Sequence, residues 1–207
     1  LDAVEIDRDL AAALRARYAA APNVSIHEAD AIKFGFTTLG SGLRIVGNLP
    51  YNISTPLLFR LVTQRTAIRD MHFMLQKEVV ERMAASPGGK EYGRITVMLS
   101  RCMEIEHLFD VPPESFRPPP RVESSVVRLV PRQRPLDIAD EGVFAALVTG
   151  AFSRRRKTLR NALSDWLTAE AIADEGIDPA LRPERLSPEE FARLANRALR
   201  ERDDALE

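Results

Sequence analysis

The residues best suited to chemistry stand in one short segment, which reads Asn-Leu-Pro-Tyr-Asn-Ile-Ser over residues 48–54. It follows residues 43–47, an apolar stretch that predicts a β-strand. Asn48, Pro50 and Tyr51 have the types and spacing needed to hold an aromatic amine and a flat ring. We therefore interpret the end of this strand as a site for methyl transfer to the exocyclic amine of a base.

The chemistry follows from the weak nucleophilicity of an aromatic amine, whose lone pair is delocalised into the ring. Two acceptors, the Asn48 side-chain oxygen and a neighbouring backbone carbonyl, can hold its N–H bonds and leave the lone pair pointing at a sulfonium methyl group. Pro50 fixes φ and donates nothing, so nearby carbonyls can face the substrate. Tyr51 can stack on a base taken out of its helix. The structural alternative is a strand-to-helix loop with a capping Asn48 and a packed Tyr51.

Two acidic residues stand at the ends of the first two predicted strands. In doubly wound folds an acid at the position of Glu5 accepts hydrogen bonds from both hydroxyls of a nucleoside ribose. Asp30 can accept one from an adenine amino group in the same way. Each residue taken alone could be an exposed acid, but the carboxyl ends of consecutive strands meet at the ligand-binding edge of such sheets. The pair therefore predicts a nucleoside site.

Hydrophobic periodicity predicts the elements that position these residues. The predicted strands are residues 3–6, 24–27, 43–47, 71–75, 104–109 and 122–130, and the predicted helices are 8–18, 54–64, 77–85, 94–101, 143–152, 158–167, 169–175 and 188–202. Asp7 and Ser54 are expected to cap the first two helices. The order predicts an α/β fold whose parallel sheet ends in a late antiparallel hairpin. We expect domains at residues 1–132 and 137–207, the second one small and all-α.

Composition excludes several classes of protein and site. The 207 residues are 45% hydrophobic and 29% charged, which suits one or two globular domains. The single cysteine excludes an internal disulfide framework, and the three histidines are too far apart in sequence for a metal site. No apolar stretch is long enough to span a bilayer, and no signal peptide is apparent. A cytoplasmic location is therefore expected.

A nearly neutral total charge conceals a basic block. The net charge of the chain is −1, yet residues 117–160 carry ten basic and four acidic residues, and residues 161–207 carry six and twelve. The densest basic group consists of Arg154, Arg155, Arg156, Lys157 and Arg160. Such a group can bind the phosphates of RNA, although a charged helix face in water is the simpler alternative. We expect RNA contacts here.

At this point the sequence resembles a known family, the S-adenosylmethionine-dependent ribosomal RNA adenine N6-dimethyltransferases of the small-subunit type. The resemblance covers essentially the whole chain. It is carried by several motifs in the family's order, namely residues 4–10, 29–31, 48–51, 75–83, 92–94, 116–127, 154–163 and 182–187. A chance match of so many separate motifs is improbable.

The resemblance implies a Rossmann-like class I methyltransferase sheet and a role for each candidate residue. S-adenosylmethionine would be bound by Glu5, Ile6, Asp30, Ala31 and Asn48. Asn48, with backbone help from Leu49 and Pro50, would orient the target amine, and Tyr51 and Phe116 would clamp the flipped adenine. The implied partner is small-subunit ribosomal RNA within the assembling 30S subunit. No metal is implied.

The chain departs from the family pattern at one point. The family's glycine-rich cofactor loop belongs roughly 20 residues before Glu5, and no Gly-x-Gly pattern precedes Asn48. We therefore expect the first strand and its glycine loop to be absent from this chain. On that basis the 207 residues alone should bind the cofactor weakly and show no turnover.

Two alternative functions stay open from the sequence. The large-subunit adenine methyltransferases of antibiotic resistance share the catalytic motif, although the helical-domain motifs argue against them. A non-catalytic RNA-binding or ribosome-assembly factor would be compatible with the missing glycine loop. Methylation of 30S against 50S RNA separates the first alternative, and a cofactor-binding measurement separates the second.

Overall fold

The computed structural model describes residues 1–204, apart from the side chain of Tyr51. The described strands are β1 (Asp2–Glu5), β2 (Ser25–Glu28), β3 (Leu43–Asn48), β4 (Ile68–Gln76), β5 (Met103–Val111) and β6 (Ser124–Pro131). The helices are α1 (Arg8–Arg17), α2 (Tyr51–Thr63), α3 (Lys77–Met83), α4 (Arg94–Ser100), α5 (Glu141–Ser153), α6 (Leu159–Ala162), α7 (Ala169–Asp174) and α8 (Pro188–Asp204). The α/β class predicted from the alternating pattern is confirmed. No described helix is long and apolar enough to cross a membrane.

The strands form two sheets. β1 and β2 pair in parallel, whereas the larger sheet has the order β3-β4-β6-β5. Among the described residues, β1 and β3 thus each have one edge with no strand beside it. Apolar side chains near these edges are exposed, with Val46 at 73% and Ile6 at 68%. Open edges of this kind are sites where a further strand can pair.

The predicted late hairpin is confirmed. β6 lies between β4 and β5 and is antiparallel to both, so β5 forms the outer edge. Residues 112–123 connect the two hairpin strands and contain five prolines. Proline lacks a backbone donor, which keeps this connection out of the sheet.

The start of α1 is confirmed and that of α2 is not. The Asp7 carboxylate accepts hydrogen bonds from the Asp9 and Leu10 amides at 2.9 and 3.0 Å, as a capping residue should. α2 begins at Tyr51 with Pro50 as its capping residue, so the prediction that Ser54 caps it is wrong. Pro56, at the sixth position of α2, removes a single backbone hydrogen bond, and the longer helix can accommodate that loss.

The C-terminal third is helical, with one prediction wrong in extent. A helix over residues 158–167 is predicted, but α6 ends at Ala162 and turns follow it. Two of the residues after it, Ser164 and Asp165, favour local bonds over a continued helix. Ser164 donates to the Asn161 carbonyl at 3.5 Å, and Asp165 pairs with Arg154 at 2.9 Å.

Two hydrophobic cores meet at α4. One core lies against the larger sheet, and the other lies among the C-terminal helices. α4 contributes Val97 and Met98 to the helical core and Leu99 to the sheet core. The buried Tyr92 hydroxyl also donates to the Leu186 carbonyl at 2.7 Å. Residues 132–140, which link the sheet to α5, form neither helix nor strand.

Candidate active site and nucleic-acid interface

The two acidic candidates, Glu5 and Asp30, lie at the carboxyl ends of the paired strands β1 and β2. Glu5 is the last residue of β1. The Ala29 amide, just after β2, donates to the Glu5 carbonyl at 3.0 Å, and Asp30 is the next residue along the chain. Both acids are half-buried. Backbone amides fix one oxygen of each carboxylate, Asp7 N–H on Glu5 Oε1 at 2.8 Å and Ile32 N–H on Asp30 Oδ1 at 2.9 Å. The predicted juxtaposition of the two acids is thus present.

Each of these carboxylates also has a second oxygen that is not bonded within the described residues. Glu5 Oε2 and Asp30 Oδ2 accept no hydrogen bond from the described residues, and neither carboxylate forms an ion pair there. An oriented carboxylate with a free oxygen can accept from a hydroxyl or an amino group. The geometry therefore fits the ribose and the base of a nucleoside.

Residues 48–54, called the catalytic segment here for their predicted role, are anchored at the carboxyl end of β3. Asn48 is the last residue of the strand, opposite Met74, and the Leu49 amide extends the pairing by donating to the Met74 carbonyl at 3.3 Å. The Leu49 side chain is buried, while Asn48 and Pro50 are exposed. A Cβ at Gly47 would lie 2.9 Å from Leu49 Cδ2, so a larger residue there would require the Leu49 side chain to shift. This anchoring presents Asn48 and Pro50 at the surface.

The two aromatic candidates differ in what can be said of them. Tyr51 is the first residue of α2, but its side chain lies outside the described part of the structure. Phe116 is half-buried on the connection 112–123, and its amide donates to the Pro113 carbonyl at 3.1 Å. That connection leaves β5 and returns to β6 beside Gln76, the last residue of β4. Phe116 therefore belongs to the same edge of the sheet as the catalytic segment.

The basic cluster lies in the turns after α5 and, at Arg160, in α6, and its members differ in how they are bonded. Arg154 pairs with Asp165, and Arg155 donates to the Lys90 carbonyl at 2.8 Å. The side chains of Arg156, Lys157 and Arg160 form no hydrogen bond or ion pair with the described residues, and all three residues are exposed. These three cations are therefore the ones available to an anionic ligand.

Two concave surfaces meet at Arg155. One of about 560 Å³ is lined by Ser153, Asn161 and the four cations of residues 154–157. The other, of about 400 Å³, includes Thr55 of α2 and three further cations, Arg82, Lys90 and Arg94. Together the two concave surfaces extend from the basic cluster to α2, the helix that starts at the catalytic segment. Sequence spacing does not predict the second group, because its members are distant from the cluster along the chain.

Among residues 1–204, no group of three or more histidine, cysteine, aspartate or glutamate side chains is arranged to hold an ion.

Comparison with known proteins matches the resemblance seen in the sequence. The family model described as ribosomal RNA adenine dimethylase matches residues 1–199. The protein named ribosomal RNA small subunit methyltransferase A is 52% identical in Pseudomonas syringae pv. syringae, over 95% of this chain and 75% of that protein. The same-named protein of Thiobacillus denitrificans is 56% identical, over 90% and 73%.

Solved structures agree with these relatives. A dimethyladenosine transferase from Plasmodium falciparum superposes with a TM-score of 0.78 at 25% identity, over 93% of this chain and 79% of that one. The 23S rRNA methyltransferase ErmE gives a TM-score of 0.73 at 25% identity, over 95% and 80%. The Rossmann-like expectation is thereby confirmed. By the match over almost its whole length, the chain belongs to the ribosomal RNA adenine dimethylase family.

Proposed function

We propose that the protein transfers methyl groups from S-adenosylmethionine to the N6 atoms of two adjacent adenines in small-subunit ribosomal RNA, within the assembling 30S subunit. The observation that carries this proposal is the placement of Asn48 at the end of β3, on the sheet that also carries the Phe116 connection. Relatives 52% and 56% identical, named for the small subunit, support the choice of RNA. The two methyl groups on each adenine are implied by the family resemblance.

The cofactor fits the acids at the ends of β1 and β2. Glu5 would accept from the ribose hydroxyls and Asp30 from the adenine amino group, with Ile6 and Ala31 beside them. When bound, S-adenosylmethionine supplies an electrophilic methyl group on a sulfonium centre. The residues of this chain then have one task, which is to present the target amine with its lone pair free.

Asn48 performs this presentation with the backbone. Its side-chain oxygen accepts one amine N–H. The Pro50 carbonyl already accepts the Ile53 amide at 3.1 Å, which leaves the Leu49 carbonyl as the second acceptor. Both acceptors withdraw the amine hydrogens from the ring plane, and Tyr51 and Phe116 hold the base by its faces. No general base is needed, because the methylated ammonium loses its proton readily.

Methyl transfer to isolated subunits tests this proposal. Radiolabelled S-adenosylmethionine is supplied with unmethylated 30S or 50S particles to a form of the protein extended ahead of Leu1 by a glycine-rich cofactor strand. We expect N6,N6-dimethyladenosine in the 30S RNA only, detected by mass spectrometry of nucleosides. Label in the 50S RNA would favour the large-subunit alternative, and label in neither would contradict the proposal.

The first prediction concerns the aromatic clamp, which consists of Tyr51 and Phe116. Stacking on a base is worth about 1–3 kcal/mol, so Tyr51→Ala and Phe116→Ala should each lower kcat/KM between about fivefold and a hundredfold. Tyr51→Phe should change it little, because a ring face is sufficient. Steady-state methylation of 30S particles measures all three. A Tyr51→Phe variant as impaired as Tyr51→Ala would show that the hydroxyl group, rather than stacking, is needed.

The basic cluster anchors the RNA in this proposal, and its free cations make the second prediction. Replacing Arg156, Lys157 and Arg160 with alanine should weaken RNA binding, because contacts to phosphates are lost. Each lost contact should also make the slope of log K against log salt shallower by somewhat less than about one unit. Titrations at several salt concentrations measure the slope. The matched control replaces three exposed arginines outside the cluster, Arg69, Arg134 and Arg193. Equal slopes for both triple variants would identify the cluster as a merely solvated surface.

A further inference from the structure

A compact ionic network lies at the base of the connection that carries Phe116. The Lys77 ammonium contacts Asp110 Oδ2 at 2.9 Å and Glu123 Oε2 at 2.8 Å. The other oxygen of Asp110 accepts from the Ser125 hydroxyl at 2.6 Å and from His107 Nε2 at 2.8 Å. We call these five residues the loop clamp. None of them belongs to the catalytic segment, the acidic pair or the basic cluster.

The loop clamp joins three strands where residues 112–123 leave the sheet. Asp110 lies near the end of β5, Glu123 directly precedes β6, and Lys77 directly follows β4. The Lys77 amide also donates to the Glu123 carbonyl at 3.0 Å. One ammonium group therefore ties both ends of the connection to the strand that pairs with β3.

An irregularity in β5 brings His107 into the loop clamp. Residues three apart in a regular strand point to opposite faces of the sheet. In β5, however, His107 pairs with Val127 and Phe109 with Val126, so Leu108 has no partner. This bulge makes His107 and Asp110 effectively two positions apart, which places both side chains on one face.

The charges of the loop clamp are complementary and persistent. Hydrogen bonds from Ser125 and Lys77 lower the pKa of Asp110 to about 2, and those to Glu123 and Asp110 raise the pKa of Lys77. The three side chains are 32% to 54% exposed, so each single pair is weak. The loop clamp acts through its geometry, because the single ammonium group of Lys77 bridges the residues at both ends of the connection 112–123.

Few other bonds hold this connection. Its internal backbone bonds, Ser115 to Pro112 and Phe116 to Pro113, span three residues each. Its five prolines supply no donors. Within the described part of the chain, residues 117–122 form no hydrogen bond or ion pair to any other element. The attachment at its base therefore decides where the connection points.

We propose that Lys77 is a positioning residue for methyl transfer, because its bridge to Asp110 and Glu123 holds residues 112–123 so that Phe116 meets the base presented by Asn48. The inference rests on the proposed function for the role of Phe116. Lys77 touches neither base nor cofactor in this scheme. Its loss releases the connection, and Phe116 then samples orientations that do not clamp the base.

Hydrogen–deuterium exchange tests the holding of the connection without any reaction. In the 207-residue chain, Lys77→Met should raise exchange severalfold at the bonded amides of Ser115, Phe116 and residue 77, and Lys77→Arg should restore the parent rate. Arg69→Met is the matched control, because Arg69 is an exposed cation at the opposite end of β4. Unchanged exchange in Lys77→Met would overturn the proposal. Should that variant fail to fold, Glu123→Gln, whose side chain is 54% exposed, replaces it.

Methylation kinetics test the consequence in the extended form of the protein. Lys77→Met should lower kcat about tenfold or more, since a misplaced contact group can cost up to about a hundredfold, while KM for the cofactor stays constant. Lys77→Arg should recover most of kcat. Faster exchange with an unaltered kcat would overturn the positioning role. A parent protein that exchanges as expected but methylates no RNA would contradict the proposed function instead, so the two failures are distinguishable.

Discussion

Replacing Asn48 with alanine is expected to lower kcat for adenine methylation about a hundredfold or more, with little change in RNA affinity. The amide oxygen holds an amine hydrogen most strongly as the methyl group is transferred, so its loss removes transition-state binding of about 3 kcal/mol. Asn48 is exposed at the end of β3 and is not part of either core. Its removal should therefore leave the fold unchanged. Single-turnover methylation and RNA titration, in the extended form of the protein, measure the two quantities.

The control for this variant is Asn23→Ala, another exposed asparagine, whose backbone rather than side chain bonds to the Leu1 amine. It should keep the parent kcat. An Asn48→Ala variant within threefold of the parent would exclude Asn48 from the mechanism. An equal loss of RNA affinity and kcat would instead assign Asn48 to binding.

The second large effect concerns cofactor binding by residues 1–207 alone. We expect weak binding of S-adenosylmethionine and no turnover, although Glu5 and Asp30 are present and oriented. No Gly-x-Gly turn precedes Asn48 to approach the cofactor closely. β1 and β3 also belong to separate sheets among the described residues, so the two halves of the site are not tied by a common ladder.

Calorimetric titration with S-adenosylmethionine measures this prediction. The extended form is the reference and should bind at least about a hundredfold more tightly. Micromolar binding with turnover, by a chain whose mass shows that it starts at Leu1, would show that the glycine turn is dispensable.

Much of the fold could be predicted because short-range signals agreed with one another. Asp7 before an Ala-Leu-Arg stretch gave the start of α1, and the apolar residues 71–75 gave the centre of β4. The start of α2 was missed, because Ser54 and Pro56 together imitate a helix start. Their signal was overridden by the packing that buries both Ser54 and Leu57 inside α2.

The candidate site was predictable only as far as strand ends could be located. Glu5 and Asn48 end strands and Asp30 follows one, so each could be located without knowledge of tertiary contacts. That Asn48 belongs to a different sheet from the two acids could not be predicted in this way. The loop clamp had no such signal. Lys77 and Glu123 are 46 positions apart, and their meeting depends on the register of β4 against β6 and on an unpaired Leu108. Sequence periodicity does not encode register between distant strands.

The shared helix α4 has a consequence for how a nucleotide would be chosen. Because Val97 and Met98 are packed in the helical core and Leu99 in the sheet core, the two bodies cannot swing apart without opening both interiors. The span between the cations after α5 and the end of β3 is then a fixed length. If the cations after α5 anchor the RNA as proposed, we expect the target adenine to be selected by its distance from the anchored backbone, without base-by-base reading of the sequence between them.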